Sequence, residues 1–203
     1  MPERVAATPR RAEPGELPEL ARMLARAFQE DPVATWSCRP EDLRPRVLER
    51  VFAMRLRDIH PRGEIWTDDD LQSAAVWAAP GQWHTTTRQD MAYASTLLHP
   101  RLLLRAPMVV KGLLGAQKVH PSEPPHWYLA ILGTDPSAQG RGLGSAMMQP
   151  VLEECDRHGI GAYLESSKEQ NLDYYARHGF RTTAERDLPR GPRLWPMWRD
   201  PRD

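Results

Sequence analysis

Leu132-Gly133-Thr134-Asp135-Pro136-Ser137-Ala138-Gln139-Gly140-Arg141-Gly142-Leu143-Gly144-Ser145 is the stretch on which the reading of the fold turns. It leaves an apolar strand, crosses a loop and enters a helix. Three alternating glycines, Gly140, Gly142 and Gly144, stand where the helix begins. Glycine has no Cβ to hold a ligand away from the backbone. A helix N-terminus leaves amide N–H groups unpaired and carries the positive end of the helix dipole. Together these features make an anion site suited to a pyrophosphate, with Arg141 as an added charged donor. Two other phosphate loops do not fit. Gly-Lys-Ser/Thr is absent, and Ser145 stands where the dinucleotide fingerprint needs its last glycine. The strand also comes late, after a hairpin, and does not open a doubly wound sheet.

Working outward, residues 127–134 are predicted as a central strand buried on both sides. Trp127, Leu129 and Ile131 are expected on one face, and Tyr128, Ala130 and Leu132 on the other. After the loop, a helix over 142–158 places Leu143, Met147, Val151 and Cys155 four apart as core residues. Cys155 reads there as a small hydrophobe. Pro150 lies inside this helix and is expected to kink it. A strand over 161–166 and a short helix over 171–177 follow, and the strand–helix–strand order implies a parallel crossover. Residues 193–199 read as the last strand, with Pro196 marking an edge or a bulge.

Upstream, residues 5–9 suggest a first strand. Pro14-Gly15-Glu16 opens a helix that Asp31-Pro32 stops, and a second amphipathic helix covers 41–59. Strands over 65–67 and 73–79 form a hairpin around Asp68-Asp69-Asp70, so part of the sheet is antiparallel. Residues 81–125 look helical in two pieces, 88–98 and 102–117. This stretch either shapes a pocket or packs as a cover for the sheet.

The chain of 203 residues suits a single domain, 1–203, with a substantial core. Its 27 basic and 27 acidic residues balance, which removes any general pull toward nucleic acid or anionic membrane. The most apolar stretch, 102–116, is broken by Arg105, Pro107 and Lys111 and is too short and charged to span a bilayer. The first eleven positions show no apolar core of signal-peptide length. Cys38 and Cys155 form no CxxC, which argues against a disulfide framework and fits a reducing, cytoplasmic setting. The histidines show no metal-ligand spacing, so no metal is expected. His84, His99 and His120 read as surface or structural. Trp36, Trp77, Trp83 and Trp127 are each core residues or part of a pocket wall.

Gln139-x-x-Gly142-x-Gly144 after a strand resembles the signature of the GNAT-type N-acetyltransferases. Asn171-Leu172-Asp173-Tyr174-Tyr175-Ala176-Arg177-His178-Gly179-Phe180 looks like a downstream segment of that family. Within the family the nearer likeness is to the puromycin N-acetyltransferases. It is carried by 139–146, Leu164-Glu165-Ser166-Ser167 and Gly191-Pro192-Arg193-x-Trp195-x-Met197, and it nearly vanishes between Gly81 and Val119.

The resemblance implies an α/β (α+β) fold: a mixed, mostly antiparallel sheet splayed between its central strands, flanked by helices, with a helical insertion at 81–125 near the acceptor site. It implies acetyl-CoA as co-substrate and a small-molecule primary amine, of antibiotic type, as acceptor. The acetyl group would move by direct attack on the thioester. A protein or peptide amine acceptor and a non-catalytic acyl-CoA-binding module are the competing readings. The family includes monomers and homodimers. Leu132, Gly133 and Thr134 would hold the pantetheine. Gln139, Gly140, Arg141, Gly142, Leu143, Gly144 and Ser145 would bind the pyrophosphate, and Asn171 would contact the cofactor near the thioester. Tyr175 would be the general acid toward the CoA sulfur. Glu165 is either the general base or a solvated strand-end glutamate. Many members carry a carboxylate on the preceding strand, whereas here that strand has none before Asp135.

Overall fold

The computed structural model describes residues 8–117 and 120–202. In chain order its elements are β1 (Arg10–Arg11), α1 (Leu17–Ala27), α2 (Pro32–Ser37), α3 (Arg44–Ile59), β2 (Gly63–Thr67) and β3 (Ser73–Ala78). Then come α4 (Thr87–Ser95), α5 (Ala106–Gln117), β4 (His126–Thr134), α6 (Leu143–His158), β5 (Gly161–Ser166), α7 (Leu172–Arg177), β6 (Arg181–Thr182), β7 (Arg186–Asp187) and β8 (Arg193–Arg199). The sheet runs β1-β2-β3-β4-β5-β8-β6, with β7 also on β8. β4 and β5 are parallel, and the other pairs are antiparallel. This is the expected mixed sheet. α1 and α3 cover one face, and α6 with Tyr175 of α7 covers the other.

Period-two alternation divides β3 between the two cores. Ala74 and Val76 face α1 and α3, while Ala75 and Trp77 face α6. α1 starts behind a turn at Pro14–Glu16, where the Glu16 carboxylate accepts the Glu13 N–H at 2.8 Å. Its apolar stripe of Leu20, Met23 and Leu24 is fully buried, each side chain contributing about 1.5–3 kcal/mol relative to exposure. α6 buries Leu143, Met147, Val151 and Cys155 as expected, together with Met148 and Leu152. The helix continues through Pro150. Burial pushes the Cys155 thiol up to about 12, which keeps it protonated and unreactive.

Several expectations need correction. The expected first strand at 5–9 lies mostly outside the described residues; the observed β1 begins at Arg10, pairing with Thr67. Asp31-Pro32 does more than stop a helix. Asp31 is an N-cap whose carboxylate accepts the Val33 and Ala34 amides, with Pro32 as the first helical residue of α2. Pro196 sits on a strand with neighbours on both sides, not at an edge. It is tolerated because its nitrogen faces the short outer strand, where Thr183 donates to the Pro196 carbonyl at 2.9 Å.

The largest correction concerns β4. Val76 pairs with Ile131 and Trp77 with Leu129, so Ala130 is an extra residue, a β-bulge. The bulge interrupts the alternation. Trp127 and Leu129 pack toward α6, whereas Ile131 joins the α1–α3 core and Leu132 returns to the α6 side. The expected single face of Trp127, Leu129 and Ile131 therefore breaks at Ala130.

No helix of the described residues is long and apolar enough to cross a membrane. At the far end of the sheet, Arg199 is almost wholly buried. Its Nη2 donates to Asp156 at 2.7 Å, its Nε donates to the His178 carbonyl at 2.9 Å, and the Asp156 carboxylate also accepts the Arg202 amide at 2.8 Å. This tie joins α6 to β8 and to the segment after it.

Candidate functional site

The parallel pairing of β4 and β5 stops at Leu129↔Leu164, although β4 continues to Thr134 and β5 to Ser166. Beyond the bulge the strands part. The gap is a polar cleft of about 600 Å³, reaching from Leu129 along β4 to the glycine loop, with Glu165, Asn171, Tyr174 and Tyr175 on the opposite side. Backbone direction decides what β4 offers there. The Gly133 carbonyl accepts from Ser73 Oγ on β3, while the Thr134 carbonyl accepts from Gln139 Nε2 in the cleft. By strand alternation Leu132 and Thr134 present their peptide groups to the cleft, and Gly133 presents its own to β3. Gly133 still matters for close approach, since a Cβ there would stand 2.6 Å from Leu24 Cδ2 of α1.

The loop is built as the sequence suggested. Asp135 caps the Pro136–Ala138 turn through the Ser137 amide, and Arg26 holds Asp135 in an ion pair at 2.8 Å. Gly140 and Gly142 have φ of 78° and 84°, a conformation that side-chain-bearing residues rarely adopt. Gly142 is the N-cap of α6, and the first intrahelical bond from the loop is Ala146 N–H to Gly142 O. The amides of Leu143, Gly144 and Ser145 are thus the unpaired first turn, and these residues line the cleft. Arg141 is exposed and donates to Gln72 Oε1 at 3.1 Å.

On the other wall, Ser145 Oγ bonds Tyr174 OH at 3.3 Å and His178 Nε2 at 2.9 Å, fixing α7 against the start of α6. Tyr175 packs edge-on between Tyr174 and Phe180, with centroids at 5.2 and 6.1 Å, and lines the cleft. Burial, then Tyr174 and Asp31, raise its pKa well above the usual phenol range. Asn171 stands at the N-terminus of α7 with no capping bond from its side chain.

A second cavity, about 410 Å³, opens from the same place. Its walls are largely apolar, with Val47, Val51 and Phe52 from α3 and Val109 and Leu113 from α5. Of the tryptophans considered, Trp83 lines it, whereas Trp36, Trp77 and Trp127 are core residues. Trp83 is stacked between His84 and His120, with centroids at 3.7 and 3.8 Å. His126 Nδ1 lies 2.7 Å from the Pro124 carbonyl and must donate to it, so His126 Nε2 accepts from His120 Nε2 at 3.0 Å. Burial lowers the pKa of both rings, His120 to about 3, so this wall stays neutral at working pH.

The two cavities share Phe28, Asp31, Ala130, Ile131, Glu165 and Ser167. Glu165 accepts from Tyr163 OH at 3.1 Å, and desolvation raises its pKa against the opposing pull of that bond and of Arg186 and Arg55. The structure therefore brings Glu165, Tyr175, Asn171 and the glycine loop around one cleft. The sequence reading missed Asp31, Ser167, Tyr174 and Arg55 at this site. Asp31 could have been found, because Asp before Pro is an N-cap signature.

The acetyltransferase (GNAT) family model matches residues 62–180, and the chain belongs to that family. An uncharacterised N-acetyltransferase of Schizosaccharomyces pombe is 23% identical over 180 residues, covering 84% of this chain and 73% of its own length. A Corynebacterium glutamicum structure, described as a histone acetyltransferase and related acetyltransferase, superposes with a TM-score of 0.70 at 23% identity, covering 97% of each chain. Arylalkylamine N-acetyltransferase 2 of Aedes aegypti gives a TM-score of 0.57 at 13% identity, covering 95% of this chain and 97% of its own. The protein is an acyltransferase of the GNAT type, a family that uses acetyl-CoA.

Proposed function

We propose that the protein transfers the acetyl group of acetyl-CoA to a primary amine of a small molecule, with the donor in the polar cleft and the acceptor in the apolar cavity. The observation that carries this reading is the meeting of the two cavities at Glu165. An apolar cavity of about 410 Å³, roofed by α4 and α5, suits a small molecule better than a protein surface. The finer likeness to puromycin N-acetyltransferases supports an acceptor of antibiotic type. Of the positions that carry it, Glu165 and Ser167 line this cavity. In the same reading 1–203 is one catalytic domain and 81–125 is an insertion serving the acceptor.

The residues present fit acetyl-CoA. The open left-handed glycines and the free first turn of α6 suit a pyrophosphate. When bound, acetyl-CoA supplies an activated acyl carbon and a thiolate leaving group. The peptide groups of Leu132 and Thr134 hold the pantetheine arm and polarise the carbonyl, and Gly133 lets the strand lie close to α1. Gln139 through Ser145 receive the pyrophosphate, and Asn171 contacts the thioester end. Glu165, with one oxygen held by Tyr163, takes the proton from the amine directly or through water. Tyr175 donates to the departing sulfur.

The test is release of free thiol when acetyl-CoA meets a panel of small primary amines. Release only with protein or long-peptide amines would overturn the small-molecule acceptor. Two variants probe the parts. Gly142→Ala forces a Cβ onto a φ of 84° at the mouth of the cleft. At a strain of about 1–2 kcal/mol, KM for acetyl-CoA should rise roughly tenfold with kcat at saturation little changed. Unchanged KM would remove the loop from donor binding. Glu165 must be ionised to act as base, and its pKa is raised. The parent kcat/KM should therefore climb with pH above the ordinary carboxylate range, and Glu165→Gln should lose that limb. A Glu165→Gln profile that matches the parent ends its role as base.

A further inference from the structure

We infer that the acceptor is an apolar amine that also carries a carboxylate, read by Arg55; this rests on the small-molecule reading above. Four charged side chains line the apolar cavity: Asp31, Arg55, Asp90 and Glu165. Asp31 is already engaged, with Oδ1 holding the Val33 and Ala34 amides at 2.9 and 3.1 Å and Oδ2 accepting from Ser167 at 2.5 Å. Asp90 accepts from Thr85 at 2.6 Å through one oxygen, sits in the first turn of α4 where the helix dipole already favours a carboxylate, and, unlike Glu165, does not line the donor cleft. Two groups remain. Glu165 has a phenol on one oxygen only and faces the donor cleft.

Arg55 takes part in none of the ion pairs among the described residues. The nearby carboxylate that could have paired with it, Asp58, is bonded by Tyr93 OH. Arg55 is half-buried on the cavity wall, its guanidinium 5.7 Å from the Tyr93 ring centroid and close enough to that phenol to oppose the rise that burial gives its pKa. A guanidinium on the wall of an apolar cavity, in no ion pair among the described residues, is a fork that matches an incoming carboxylate in two parallel hydrogen bonds. Glu165 at the donor junction and Arg55 on α3 thus present opposite charges to one molecule. The complement is a zwitterion: the amine toward Glu165, an apolar body along α3 and α5, and the carboxylate at Arg55.

The experiment measures thiol release for matched amines with and without the carboxylate: phenylalanine and para-carboxy-phenethylamine against phenethylamine, and leucyl-leucine against leucyl-isopentylamide. At least one carboxylate should exceed its partner in kcat/KM by about 10- to 100-fold. Arg55→Met should collapse that ratio toward one, and Arg55→Lys should keep part of it. The ratio is the readout because Arg55 also acts on Glu165, an effect common to both members of a pair. Carboxylate-free amines that match or beat every carboxylate overturn the inference and leave the small-molecule reading standing. So does a preference that survives Arg55→Met. Release with protein amines but with none of these small amines overturns the small-molecule reading itself.

Discussion

Tyr175→Phe is expected to lower kcat by about 100-fold or more while leaving KM for acetyl-CoA within roughly twofold. The substitution removes one oxygen and keeps the ring, which is locked between Tyr174 and Phe180. Packing and donor binding should therefore survive, and the loss should fall on the step in which the sulfur leaves. A phenol near pKa 10 can share a proton with a thiolate near pKa 8.5 at modest cost in water. Here burial raises the phenol further, so Tyr175 stays protonated across the working range, and full transfer to sulfur is more uphill than in solution. A strong hydrogen bond to the developing thiolate then carries most of the effect. Steady-state kinetics at saturating acetyl-CoA read this directly; an unchanged kcat removes Tyr175 from the mechanism.

Asp156→Ala is expected to destabilise the fold by about 3 kcal/mol, toward the low end for a broken buried pair because the Asp156 side chain keeps some solvent contact. It would leave the Arg199 guanidinium buried with the His178 carbonyl as its remaining partner. For a chain of this size that is roughly a 6–12 °C fall in melting temperature. The same pair sets an acid limit. Arg199 holds the Asp156 pKa below its usual value. A depressed folded-state pKa gives stability that is fully present above the unfolded value and is lost as pH falls through the folded one. The parent should therefore lose stability on acidification below the ordinary aspartate range, and Asp156→Ala should lose less over the same interval. Thermal melts of both proteins from neutral to acid pH check this; parallel curves would assign the acid loss to other carboxylates.

The parts of the fold legible in the sequence were those where one local signal dominates. α6, β5 and β8 follow from apolar periodicity bounded by Gly142, Gly159 and Gly161, and the hairpin follows from the acidic turn at Asp68-Asp69-Asp70. The glycine loop and its place beside Asn171 and Tyr175 could be read from spacing and family likeness. Three features could not. The bulge at Ala130 depends on how β4 registers against β3, and alternating apolar residues look the same with or without it. The two-residue strands β6 and β7 exist only because β8 lies beside them. Arg55 shows no motif at all; its interest comes from what α4 and β4 bring near it, and from Asp58 being bonded by Tyr93. Asp31 is a different case, since its capping signature was present and only its continuation into α2 was overlooked.

β3 and β4 lie side by side, yet the chain between them makes the long excursion that carries α4 and α5. Both ends of that excursion are pinned by the same antiparallel ladder. Closing a longer or shorter loop between fixed ends changes the free energy only slowly with length. The excursion can therefore be exchanged for another of different length and composition while β4, its bulge and the glycine loop keep their places. In protein engineering this makes Ala79 and Pro125 natural graft points, where one wall of the second cavity can be rebuilt without redesigning the first.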